Sequence, residues 1–273
     1  MEILELLWGT VLLRPYVFIF LISYLTVATL HMGFKRSILL TILGFGVAFL
    51  AEYSSTRNGF PFGFYTYIET TRDRELWIAN IPFFDSLSFS FLAYASYTLS
   101  LLLWSPLKKC GWELQLEATA ALKGSWRVIL TGATLMMLLD VVIDPVSFLG
   151  DRWFLGQLYT YKEEGEYFNI PLTNFAGWFG VGFTILALFT RIDAWLTRLG
   201  LRDFGMRRVP LQALMGPGIY FGVLVFTLGI TFYIGEWWMG MCGLGLSVFL
   251  FALPLIKVLK IKNTPAPSPV IGE

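Results

Sequence analysis

Histidine is almost missing: His31 is the only one in 273 residues. A single imidazole excludes the histidine-clustered di-iron site of hydroxylases and desaturases, and it leaves haem or zinc without the usual donors. Cysteine is nearly as scarce. Cys110 in a polar connection and Cys242 in an apolar run read as a free thiol and a core packer, not a disulfide framework. Charge is thin, at 14% of residues against about a quarter in a soluble domain. A net charge of +1 offers no basic face to a nucleic acid. No Gly-rich dinucleotide or phosphate-loop pattern precedes a strand, and no Ser nucleophile elbow occurs. Lys257, the only lysine of the last apolar run, lies too close to its edge for a mid-membrane retinal Schiff base. The acids are scattered rather than gathered into two aspartate-rich motifs, which argues against Mg²⁺ acting on a prenyl diphosphate. The opening MEILELLWGT is acidic where a signal peptide is basic, so no cleaved leader is expected. Neither a metal nor an organic cofactor is expected.

What is abundant is apolar. Hydrophobic residues make up 56% of the chain and aromatics 17%, with 25 Phe, more than helix packing needs and consistent with an apolar ligand or interfacial belts. Runs of spanning length fall at about 15–34, 37–53, 80–104, 126–148, 171–190, 211–234 and 237–259, each near the ~20 residues that cross a bilayer core. The fold class is therefore all-α: a polytopic membrane protein of about seven transmembrane helices, one helical domain over 1–262 and a Pro-rich tail over 263–273 expected to be disordered. With the amino terminus outside, only Arg14, Arg57, Arg72, Arg74, Arg152 and Lys162 of the 20 basic residues lie outside, so the positive-inside rule predicts N-out, C-in in the cell membrane.

That orientation gathers the polar oddities on the outer side. Glu52 ends the second span, Asp85 lies one or two turns into the third, and Asp140 and Asp144 sit in the outer half of the fourth. Asn174 opens the fifth, and Glu236 precedes the seventh. A carboxylate within a span costs roughly 2.5–3.5 kcal/mol on insertion scales, and such residues mark function by default. Asp140 and Asp144 are four apart and share a helix face. Pro145 removes the hydrogen bond to the Val141 carbonyl and biases Asp144 from helical geometry, so a kink beside a cavity is expected. Burial there disfavours the charged form, and a second carboxylate nearby disfavours double ionisation. The expectation is an acid that keeps its proton beside a group that can accept one. The bland alternatives are helix–helix hydrogen bonds, pairing with Arg57 or Arg152, or a span that ends at Leu139 with both acids exposed.

Three blocks, AEYSSTRNGFPFGFYTY (51–67), LLDVVIDPV (138–146) and GEYFNIPLTNFAGWF (165–179), resemble the recurrent blocks of the membrane carotenoid hydratases, the bisanhydrobacterioruberin hydratases and the γ-carotene and lycopene 1-hydratases. Beyond residue 180 only hydrophobicity is shared. The resemblance implies cofactor-independent addition of water across a terminal isoprenoid C=C of a lipid-soluble carotenoid, giving a tertiary alcohol. Asp140 or Asp144 would be the general acid and the other its proton partner, with Glu52 and Asp85 next for water activation. Asn58 and Asn174 would position water, while Phe64, Tyr65, Tyr67, Tyr167, Phe168 and Trp178 would face the substrate and its cation. Each aromatic could equally be an interfacial belt residue. A carotenoid cyclase or isomerase would use the same acid without water, and a proton-coupled transporter or carotenoid-binding membrane protein would use the acids as a relay. Gly218 and Gly222, with Gly240, Gly243 and Gly245, suggest close helix packing, within the chain or between copies in a homo-oligomer.

Overall fold

The computed structural model describes residues 3–110, 113–153, 157–201 and 203–261; the Pro-rich tail read at 263–273 lies outside them. Among the described residues, seven helices are long and apolar enough to cross a membrane, and the protein is an all-α polytopic membrane protein. They are α2 (Pro15–Met32), α3 (Phe34–Asn58), α4 (Phe83–Trp104), α6 (Trp126–Phe148), α7 (Leu172–Arg198), α8 (Gln212–Tyr233) and α9 (Trp237–Leu259). Two short helices, α1 (Ile3–Leu13) and α5 (Ala120–Lys123), do not reach spanning length. Three antiparallel strand pairs lie in the connections. These are β1 (Tyr65–Tyr67) with β6 (Tyr159–Tyr161), β2 (Trp77–Ile78) with β3 (Ile81–Pro82), and β4 (Leu107–Cys110) with β5 (Glu113–Leu116).

The helix at the centre is α4. Its neighbours α3, α7, α6, α8 and α2 each pack on the next and close a ring around it, while α9 leans on α8 from outside. The α4 sequence explains its place. Ser86, Ser90, Ser96, Thr98 and Ser100 are small enough to admit close neighbours, and Ser90 and Thr98 bond their hydroxyls back to their own helix carbonyls. Two neighbours approach through glycine. A Cβ on Gly44 would lie 2.7 Å from Ser90 Cα, and one on Gly216 would overlap the Thr98 side chain.

Several sequence expectations change. The second span outruns the 37–53 stretch: α3 continues through the polar EYSSTRN to Asn58, because Gly59 at φ +82° supplies the left-handed C-terminal turn. The third begins at Phe83 because Trp77–Pro82 forms a tight hairpin instead. The fourth span does not break at Pro145: α6 continues through it to Phe148, and Asp144 stays helical. Cys242 is exposed on the outer helix α9 rather than packed in the core. Of the glycines read as packing positions, Gly222, Gly240 and Gly243 face neighbours, but Gly218 and Gly245 meet nothing within 4 Å. The helix α1, which is apolar but short, carries no spanning signal and escaped the sequence reading.

The up-and-down course of the chain brings the start of α2, the end of α3, the start of α4, the end of α6 and the start of α7 to one side of the bundle. The connection 59–82 and the described parts of the next one on that side, 149–153 and 157–171, cover it. Arg14, 1% exposed, anchors the cover there by a two-pronged bond to buried Glu75, at 3.1 and 3.0 Å.

Candidate functional site

Asp140 and Asp144 are one turn apart on the buried face of α6, and Asn174 enters from the first turn of α7. Its Nδ2 donates to Asp140 Oδ2 at 2.7 Å and to Asp144 Oδ2 at 3.0 Å, so one amide nitrogen bridges both carboxyl groups. Asp144 receives two further donors, the hydroxyl of Tyr159 on Oδ1 and that of Tyr161 on Oδ2 at 3.2 Å. Asp140 differs: its Oδ1 is buried and has no hydrogen-bond partner among the described residues. Of the bland alternatives, the helix–helix hydrogen bond is present, from Asn174 on α7 to both aspartates on α6, but neither arginine reaches the pair. Arg57 stacks on Tyr53 and donates to Asn80 at 3.0 Å, and Arg152 pairs with Glu236. The span does not end at Leu139 either, and both acids are buried.

A second carboxyl group pair faces this one. Glu52, buried on α3, accepts from Ser86 Oγ, and Asp85 on α4 accepts from the Tyr67 hydroxyl. The tyrosines come from a tripeptide that occurs twice. Both β1 and β6 read Tyr-Thr-Tyr, and they pair Tyr65 with Tyr161 and Tyr67 with Tyr159. The two-residue period of a strand sends all four phenols to one face and leaves Thr66 and Thr160 outside. Their rings meet edge to face, with Tyr65 5.3 Å from Tyr67 and 5.8 Å from both Tyr159 and Tyr161. Burial, then the charge of the nearest carboxylate, pushes each hydroxyl well above the usual phenol range: Glu52 for Tyr65, Asp85 for Tyr67, and Asp144 for Tyr159 and Tyr161. They therefore stay protonated and act as donors.

These groups form one end of a cavity of about 150 Å³. Glu52, Asp85, Asp140, Asp144 and Asn174 line it with the four tyrosines. The rest of its wall is mostly apolar, with Phe20 from α2, Phe89 and Phe91 from α4, and Phe226 from α8, and includes the hydroxyl side chains Tyr16, Ser88, Ser147 and Thr227. Trp178 of α7 stacks on Phe89 at 4.2 Å and 16°. No lysine, arginine or histidine is among the lining residues, so the carboxyl groups face aromatic rings and neutral donors. Such an end can hand a proton to an apolar group and stabilise the positive charge that results.

Seven of the twelve residues expected at a site thus come together: Glu52, Tyr65, Tyr67, Asp85, Asp140, Asp144 and Asn174, with Trp178 as an eighth on the wall. Four lie elsewhere. Asn58 is exposed and caps the turn after α3, accepting from Phe60 N at 2.9 Å. Phe64 stacks beneath the Lys162 ammonium at 3.4 Å. Tyr167 and Phe168 contact each other at 4.8 Å in the 165–171 loop, and Tyr167 also meets Phe175. The reading missed Tyr159, Tyr161 and Ser86, although the repeated Tyr-Thr-Tyr was a legible signal for the first two. It also missed Phe20 and Phe226, which no motif distinguishes from other lipid-span phenylalanines.

No curated protein and no solved structure matches this chain. A family model described as carotenoid biosynthesis protein matches residues 11–250, from the end of α1 into α9 and across every element of the cavity. The chain belongs to the carotenoid biosynthesis protein family.

Proposed function

We propose that this protein is a carotenoid hydratase that adds water across a terminal isoprenoid C=C of an acyclic or monocyclic carotene, giving a tertiary alcohol at C1. The observation that carries the reading is the Asp140–Asn174–Asp144 cluster, buried at the polar end of an aromatic cavity in a member of a carotenoid biosynthesis family. The reaction needs a proton for the CH carbon of a trisubstituted alkene, since the tertiary cation then forms on its neighbour. It also needs a base for the water that captures that cation. General acid–base catalysis of this kind contributes about 10²- to 10⁴-fold. The faces of Trp178, Phe89 and the tyrosines can each stabilise the cation by about 0.5–2 kcal/mol. Glu52 and Asp85, hydrogen-bonded to Ser86 and Tyr67, stand ready to orient water. The chemistry draws on no cofactor.

The cavity is smaller than the roughly 300–1,000 Å³ of a drug-sized ligand site. It suits the tip of the hydrocarbon, with the polyene leaving along the apolar walls of α2 and α8 towards lipid. With the amino terminus outside, the polar end lies towards the outer face of the cell membrane.

The test is expression in cells that make lycopene. The expected product is heavier by one water, forms without O₂, and carries oxygen traceable to H₂¹⁸O. Oxygen arriving from ¹⁸O₂, or a cyclised product of unchanged mass, overturns the hydration reading. So does the absence of any new pigment across several acyclic and monocyclic carotenes.

A further inference from the structure

We propose that Asp140 and Asp144 divide the work: Asp140 donates the proton from Oδ1, Asp144 serves as the anion, and Tyr159 and Tyr161 are the positioning residues that fix this split. The inference rests on the hydration reading for its substrate, and on hydrogen-bond geometry for its assignment.

Asp144 accepts from three donors, Tyr159, Tyr161 and Asn174. Both of its oxygens are occupied by incoming hydrogens, the arrangement that stabilises a carboxylate. Asp140 accepts one hydrogen, on Oδ2, from the same amide. The reverse orientation of that amide would set an oxygen against both carboxyl groups and require a proton on each. With the amide nitrogen facing them, a proton on Asp140 must sit on Oδ1, the buried oxygen without a partner among the described residues. An ionised oxygen there would bear the full desolvation penalty, which a neutral O–H escapes, and Asp140 is among the residues that line the cavity. An alkene offers no lone pair, so the group that approaches it in productive geometry is an O–H not already engaged.

The step balances. The Oδ1 proton of Asp140 bonds to the CH carbon using the π pair, and the adjacent carbon becomes a tertiary cation. Water forms the C–O bond, and the Asp144 carboxylate takes the oxonium proton, which returns to Asp140. One water is added and nothing is oxidised. Between the two proton transfers, two carboxylates face one cation.

Infrared difference spectra of the purified protein test the assignment without substrate. The C=O stretch of a buried protonated carboxyl group should vanish in Asp140→Asn and persist in Asp144→Asn. Loss in Asp144→Asn alone, in both, or in neither overturns it. With a carotene in D₂O, Asp144→Asn should still protonate the alkene without capturing water, placing deuterium on the CH carbon of the terminal double bond as the cation collapses back. Asp140→Asn should incorporate none, and incorporation by Asp140→Asn overturns the assignment. The pair Tyr159→Phe and Tyr161→Phe keeps both carboxyl groups. It should lower kcat roughly ten- to a hundredfold, the size of one or two charge-assisted hydrogen bonds, with KM unchanged; an unchanged kcat overturns the positioning role. If the infrared pattern holds while the wild-type protein hydrates nothing, the proton assignment stands and the hydration reading fails.

Discussion

Asn174 is the residue on which the acid pair depends, because its single amide nitrogen bonds to two buried carboxyl groups that no cation among the described residues reaches. Removing a donor from a buried charged group costs about 1.5–3 kcal/mol. Asn174→Leu should therefore lower both the thermal midpoint and the hydration rate, the latter at least roughly tenfold, while the protein still accumulates in membranes. Turnover in isolated membranes alongside an immunoblot reads both quantities. Tyr167→Phe and Phe168→Leu, whose parent side chains pack in the covering loop outside the cavity, should keep turnover close to wild type in the same assay. Asp140, Asp144 and Asn174 were legible in the sequence because acids and amides stand out against apolar runs. Asn58 and Phe64 misled because their neighbours in the 51–67 block do line the cavity, and adjacency in sequence does not tell which way a loop side chain turns.

At the scale of elements, the helices could be read and their covers could not. Apolar runs announce spans by length alone, whereas β1 and β6 are three residues each and pair across 94 positions that give no period. The start of α3 is another hidden device. Its exposed backbone N–H groups are met from a distant connection: Phe34 donates to Phe204 O at 2.9 Å, and Lys35 and Arg36 donate to the Asp203 carboxylate at 2.9 and 3.0 Å. Burial opposes ionisation of Asp203, but those N–H donors, that of Phe204 and Arg36 outweigh it and hold its carboxyl below the usual carboxylate range. A depressed value stabilises the fold above the unfolded Asp value, about 3.9, and the gain is lost as pH falls through the folded value. Asp203→Ala should lower stability by about 0.5–2 kcal/mol at neutral pH, as a lost helix cap does. The gap from wild type should close as thermal unfolding in detergent is followed below about pH 4, and hydration should be untouched.

The whole molecule is a ring of five helices around α4, so its integrity depends on how closely the ring can approach that axis. Gly216→Val would force α8 away from Thr98, and overpacking of this kind costs about 1–3 kcal/mol. A lower thermal midpoint and a smaller yield of folded protein are expected. Orientation can be read on a variant with Cys110 and Cys242 replaced by serine. A single cysteine at the exposed Glu164 should react with an impermeant maleimide on intact cells, and one at the exposed Arg198 only after lysis. The confined volume at one end of the bundle has a kinetic corollary for a carotene with two open termini. A hydrocarbon long enough to reach across a bilayer core of about 30 Å can present only one terminus at a time. To offer its second, it must leave, invert in the bilayer and dock again. The mono-alcohol should then rise first and the diol only after a lag, and diluting the labelled mono-alcohol with fresh carotene should suppress the diol.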